Sequence, residues 1–165
     1  MGSSGVLAPA IELSDPAGRL IALKELLEEG GKPILLAFFK VSCPVCKLAW
    51  PYLARLHRAY GSAARVIGVS QNDEAASRRF YAENGGAAFE LLLDLEPRFS
   101  ASNAIGVESV PHLAFVEPDG TLERSFAGWD RQAMESLGAE LARRAGVATV
   151  TLIEEAERVP AFKPG

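Results

Sequence analysis

The residues of this chain best equipped for covalent chemistry are Cys43 and Cys46, the only two cysteines among 165 residues. They sit three apart in "PILLAFFKVSCPVCKLAWPYL", Pro33 to Leu53, directly after an apolar run. At a helix start this spacing sets the two Cα atoms roughly 5–6 Å apart, so a disulfide can form without moving the backbone. Ser42 is placed to cap the helix, and Pro44 is tolerated in the first turn because its missing N–H has no partner there. The unpaired N–H groups of that turn favour a thiolate. Cys43, at the tip, is the expected exposed nucleophile. Cys46, one turn inward, is the expected buried resolving thiol.

Three other readings compete. The pair could be two ordinary packed cysteines. A structural zinc site needs four ligands, and only His57 and His112 remain as soft partners, at a spacing that fits no zinc-finger pattern. Cu(I) held by Cys43, Cys46 and His112 would suit a binding module that carries a soft metal, or docks a partner, without turnover.

The elements that must position the cysteines follow from the pattern. Ile34 to Phe39 is a continuous apolar run, consistent with a strand covered on both faces. Cys43 to Tyr60 has helical spacing through Leu48, Tyr52 or Leu53, Leu56 and Ala59, with Pro51 inside it to bend the axis. Before them, two alternating runs around Asp15-Pro16-Ala17-Gly18 read as a β-hairpin, and "LKELLEEGGKP" reads as a short helix. Arg65 to Gln71 is a second buried strand. A helix capped by Asn72 or Asp73 and closed at Gly85-Gly86 follows. "FELLLD" is a short strand, and a helix runs through Phe99 to near Gly106. "PHLAFVEPDGTLERSFAG" reads as a hairpin about Glu117-Pro118-Asp119-Gly120, and Asp130 to Arg144 as a final helix. The expected fold class is α/β, a central mixed sheet flanked by helices on both faces. Residues 1–8 form an expected flexible N-terminus, 9–146 the single domain and 147–165 a C-terminal extension. In that extension "VATVTLI" could add an edge strand and "RVPAFKPG" reads as a loosely held tail.

Composition narrows the partners. A net charge of −4 and pI near 5.3, with no basic stripe, argue against nucleic acid. No apolar run approaches the roughly 20 residues of a membrane span. The start "MGSSGVLAPA" lacks a basic region followed by an apolar one, which favours the cytoplasm. An exported setting follows instead if a leader or anchor has been removed.

With these motifs in order, the sequence resembles the thioredoxin superfamily, and within it the TlpA/ResA-like, redoxin (AhpC/TSA-related) thiol–disulfide oxidoreductases, from about Pro9 to Arg144. The resemblance rests on "GKPILLAFFKVSCPVCK", "VIGVSQND", "FELLLD" from the inserted βα segment of this branch, and "AIGVESVPHLAFVEPDGTL". It implies a thioredoxin-like fold and a cis bond before Pro111, which faces the cysteines. Such a bend exposes the Val110 backbone for strand-like pairing with a substrate. Trp129 in "FAGWD" is implied as a groove-lining residue, and Ser42, Pro44 and Val45 as substrate contacts around the sulfur. Thioredoxins proper have Trp where this chain has Ser42, and a buried Asp where it has Ala37. The ResA-like branch has a Glu where it has Ala49. Proton transfer at Cys46 would then depend on water, on Lys40 or Lys47, or on a group elsewhere in the chain.

The expected activity is protein-disulfide reduction or exchange through the Cys43/Cys46 couple, with no cofactor. The expected partners are protein disulfides or dithiols and an upstream electron donor, and a monomer is expected. A thiol peroxidase is the remaining alternative in this fold. Leu36 and Lys40 stand where a peroxidatic cysteine's Pro-x-x-x-Thr/Ser-x-x-Cys context would need Pro and Thr or Ser, and so argue against it. His57 reads as solvated, and Phe38 and Phe39 read as packing.

Overall fold

The computed structural model describes residues 10–165 and the short strand at Val6–Leu7. Of the N-terminal stretch expected to be flexible, Val6–Leu7 form a strand, and the rest of it lies outside the described residues. An eight-stranded mixed sheet carries the fold, in the order β1-β8-β7-β4-β5-β6-β2-β3. These strands are β1 (Val6–Leu7), β2 (Glu12–Ser14), β3 (Leu20–Ala22), β4 (Ile34–Phe39), β5 (Arg65–Ser70), β6 (Glu90–Leu93), β7 (His112–Val116) and β8 (Thr121–Ala127). The helices are α1 (Leu23–Gly30), α2 (Pro44–Tyr60), α3 (Glu74–Glu83), α4 (Ser100–Ile105) and α5 (Arg131–Ala145).

Strand β4 lies at the centre, parallel to β5 and antiparallel to β7. All six of its residues are buried, as a strand covered on both faces requires. Alternation sends Phe39 to one face, where its ring meets Trp50 of α2 at 4.2 Å and Phe80 of α3 at 4.8 Å between centroids. Tyr81 and Phe89 complete this aromatic cluster. The chain must enter α2 where β4 ends, so β4 aims the cysteines at one end of the sheet. Pro51 lies inside α2 as expected. Gly85, at φ +95, lies so close to it that a β-carbon there would come within 2.8 Å of the Pro51 Cα.

The hairpins around residues 15–18 and 117–120 form as the turn residues predict. The capping of α3 falls to Asp73, whose carboxylate accepts from the Ala76 N–H at 2.8 Å. The cap of α2 differs from expectation. Cys43, not Ser42, is its N-cap, because a turn closed by the Cys43 N–H on the Lys40 carbonyl (3.2 Å) delays the helix until Pro44.

The C-terminal extension also departs from the sequence reading. "VATVTLI" forms no strand: Leu152 and Ile153 are buried instead, with Leu152 against Gly138 of α5. The residues just ahead of the expected tail are bound to the body of the protein. The Tyr60 hydroxyl accepts from the Val150 N–H at 2.7 Å, and Arg55 donates to the Leu152 carbonyl and, through two bonds, to Glu157. Beyond Glu157, β10 (Phe162–Lys163) pairs antiparallel with β9 (Trp129–Asp130). The helices already offer an apolar seat to Leu152 and Ile153, so this segment follows the helical layer rather than a sheet edge.

Candidate active site

Cys43 and Cys46 are free thiols at the start of α2. Cys43 is partly exposed, and its backbone is extended at φ −84, ψ 114. Its Sγ accepts from the Cys46 N–H at 3.1 Å and donates to the Val110 carbonyl at 3.3 Å. The N–H aimed at this sulfur suits negative charge there. Cys46 is fully buried. Burial pushes its thiol well above the ordinary range, with its contact to Cys43 adding to the rise and a hydrogen bond involving the Lys40 backbone opposing it. One sulfur is therefore reachable and the other is kept protonated in the interior.

The Val110-Pro111 bond is cis, as the resemblance implied. Pro111 is buried, and Val110 is 9% exposed with its carbonyl on the Cys43 sulfur. The Pro111 carbonyl accepts from the Gly128 N–H at 2.8 Å, which ties the end of β8 to this loop. On the other side, the Asn72 side chain accepts from the Val41 N–H at 2.9 Å and holds the approach to the cysteines. Ser42 and Pro44 are exposed beside Cys43 and Val45 is half-buried.

Trp129 sits differently from the groove-lining position expected of it. It is buried, packs on Tyr52 of α2 at 5.2 Å and donates its indole N–H to the Pro160 carbonyl at 2.7 Å. The extension covers it, so in this structure it backs the site. His112 is also displaced from the cysteines. It pairs directly with Phe38 and meets that ring edge-on at 6.2 Å, on the sheet face opposite Phe39 and α2. Burial holds it below the ordinary histidine value, and its Nε2 has no hydrogen-bond partner among the described residues. A metal site built from Cys43, Cys46 and His112 is therefore not assembled. Among the described residues no three Cys, His, Asp or Glu side chains gather to hold a metal. His57, expected to be solvated, is half-buried against Phe89.

Ala37 and Ala49 are both buried, as core residues near the motif. The groups acting on Cys46 are Cys43 and Lys40, and no carboxylate is among them. A groove of about 860 Å³ lined by Ala22, Leu23, Leu27 and Pro118 lies at the opposite end of β4 and takes no part in this site. Nothing in the sequence pointed to the extension's place beside the Val110-Pro111 loop, or to Tyr52, Arg55 and Glu157 that hold it. No periodicity marks such contacts. Among the described residues no helix is long and apolar enough to cross a membrane.

Comparison with known proteins fits this arrangement. The profile of the AhpC/TSA family matches residues 4–125. The chain is 25% identical over 133 residues to the thiol-disulfide oxidoreductase ResA of Bacillus subtilis (strain 168), covering 80% of this chain and 72% of that protein. It is 26% identical over 124 residues to the thiol:disulfide interchange protein DsbE of Haemophilus influenzae, covering 75% of this chain and 66% of that one. The structure of MTB dsbF, in mixed oxidized and reduced forms, superposes with a TM-score of 0.64 at 25% identity, covering 83% of this chain and 93% of that one. The fold is thioredoxin-like, and the relatives are thiol–disulfide oxidoreductases.

Proposed function

The chain belongs to the AhpC/TSA family, and from that premise we propose that it reduces protein disulfides through Cys43 and Cys46. The Cys43 thiolate attacks one sulfur of a substrate disulfide. A mixed disulfide forms, and the other substrate sulfur leaves as a thiolate. Cys46 then loses its proton and attacks Cys43. The second substrate thiolate departs and a Cys43–Cys46 disulfide remains, which an upstream dithiol donor reduces again. The observation that carries this reading is the asymmetry of the pair: Cys43 is reachable beside the cis Val110-Pro111 bond, while Cys46 is buried one turn behind it. The chemistry calls for no group beyond the two thiols, and a monomer suffices.

The cytoplasmic setting expected from the sequence gains no support from the relatives, and an exported setting fits this reading equally well. The test is trapping. Cys46→Ser accumulates a mixed disulfide with a polypeptide substrate, whereas Cys43→Ser forms none. Insulin reduction at the wild-type rate by both variants would sink the reading.

A further inference from the structure

Residues 158–165 run past the active site. The Pro160 carbonyl takes the Trp129 indole N–H at 2.7 Å, and the Ala161 carbonyl takes the Arg131 N–H at 3.0 Å. Phe162 and Lys163 then pair antiparallel with Asp130 and Trp129. Gly165 reaches the cis-proline loop itself: a β-carbon on it would lie 2.5 Å from the Val110 carbonyl and 2.9 Å from Ser109 Oγ. At Gly128, held at φ +77, a β-carbon would overlap the Lys163 carbonyl. The segment and the loop are fitted at backbone distance, and the carbonyl that Gly165 covers is the one that accepts from Cys43.

The two halves of the extension are held very differently. Residues 152–157 are anchored by buried Leu152 and Ile153 and by the paired Arg55–Glu157 bonds. Residues 161–165 are all exposed, Phe162 at 57%, and among the described residues their hydrogen bonds are backbone pairing. A strand tethered this way stays at high effective concentration over its edge yet can leave it at modest cost.

We propose that the edge formed by Trp129–Asp130 and Val110 accepts extended polypeptide strands, and that residues 158–165 are its resident occupant, which a polypeptide substrate must displace to reach Cys43. This rests on the reading of the protein as a reductase of polypeptide disulfides. Backbone pairing is blind to side-chain identity, so the edge suits unfolded or extended chains of varied sequence. A small aromatic disulfide needs no edge and meets Cys43 directly.

The test compares the full chain with a Phe162→Pro/Lys163→Pro double variant, whose substituted residues are exposed and cannot donate to the β9 pairing. Faster amide exchange at Arg131, whose N–H donates to the Ala161 carbonyl, verifies that the strand has left. The expected result is a rise of about fivefold to tenfold in kcat/KM for insulin reduction, with reaction of dithiobis(nitrobenzoate) changed less than about twofold, as loss of one or two net hydrogen bonds implies. A synthetic peptide of residues 158–165 added to the variant should slow insulin reduction again. Equal acceleration of both reagents overturns the proposal, since the segment would then merely shield the sulfur. So does an unchanged insulin rate with the strand demonstrably released, or no insulin reduction by either protein. Absence of any second equivalent of thiolate from dithiobis(nitrobenzoate) in the wild type is a separate result, for it removes the redox couple itself.

Discussion

Loading Cys43 with dithiobis(nitrobenzoate) isolates the chemistry of Cys46. The first thiolate equivalent is released when Cys43 is derivatised, and the second when Cys46 attacks the resulting mixed disulfide. Cys46 must ionise before that attack. Two influences raise its pKa, burial first and the Cys43 contact second. Derivatising Cys43 removes the second, but the residue remains 0% exposed and burial persists. Even an unperturbed thiol, at its ordinary value of 9.0, would be only about 1% thiolate near neutral pH. The buried one is rarer still, and Ala37 and Ala49 supply no carboxylate to take its proton. The thiolate fraction then grows tenfold per pH unit. The second phase should therefore accelerate about 100-fold between about pH 6.5 and about pH 8.5. Stopped-flow absorbance of the released thiolate, with the first phase as internal comparison, measures it directly. A second phase that levels off below about pH 8 refutes the reasoning: either a base beside Cys46 has been overlooked, or a conformational step rather than ionisation limits the rate.

The same burial makes a stability prediction for the reduced protein. Because the folded-state pKa of Cys46 lies above its ordinary 9.0, the associated stability is intact below about pH 9 and is lost as pH rises further, at up to about 1.4 kcal/mol per pH unit. Urea midpoints of wild type and Cys46→Ala, compared at each pH, should converge above about pH 9; Tyr52 and Tyr81 are also raised but contribute equally to both proteins. Gly85→Ala places a β-carbon against Pro51 at a positive φ, and should destabilise by about 1–3 kcal/mol. Urea unfolding reads the loss, and an unchanged midpoint contradicts the close approach. With His112 on the sheet face away from α2, exhaustive chelation under reducing conditions should leave both phases of the thiol reaction unchanged. A gain in either phase on chelation, reversed by added Cu(I), would revive the metal reading.

Much of the site was legible because its determinants are local. Three-residue cysteine spacing, an all-apolar β4 and turn chemistry at residues 15–18 and 117–120 each act within a few residues, where periodicity and turn preferences operate. The cis Val110-Pro111 bond was legible only through family resemblance, since proline alone leaves the isomer open. The cap of α2 was misplaced by one residue. Ser42 has the better capping side chain, but the turn from Lys40 to Cys43 sets where the helix begins.

Two features were decided by tertiary structure alone. His112 follows Pro111 in sequence, yet its pairing with Phe38 turns it from the cysteines, and register between strands distant in sequence fixes that face. Residues 147–165 read as a weak strand and a loose tail because their stability comes from partners well separated from them in sequence. Tyr52 and Arg55 meet Glu157 across separations of 105 and 102 residues, and Trp129 takes Pro160. Single hydrogen bonds over such distances leave no period in the sequence. The sequence by itself determined where the two sulfurs lie and which element presents them. Only the folded chain decided what lies across the edge beside them, because that occupant is bound by backbone pairing, which any residue but proline can make.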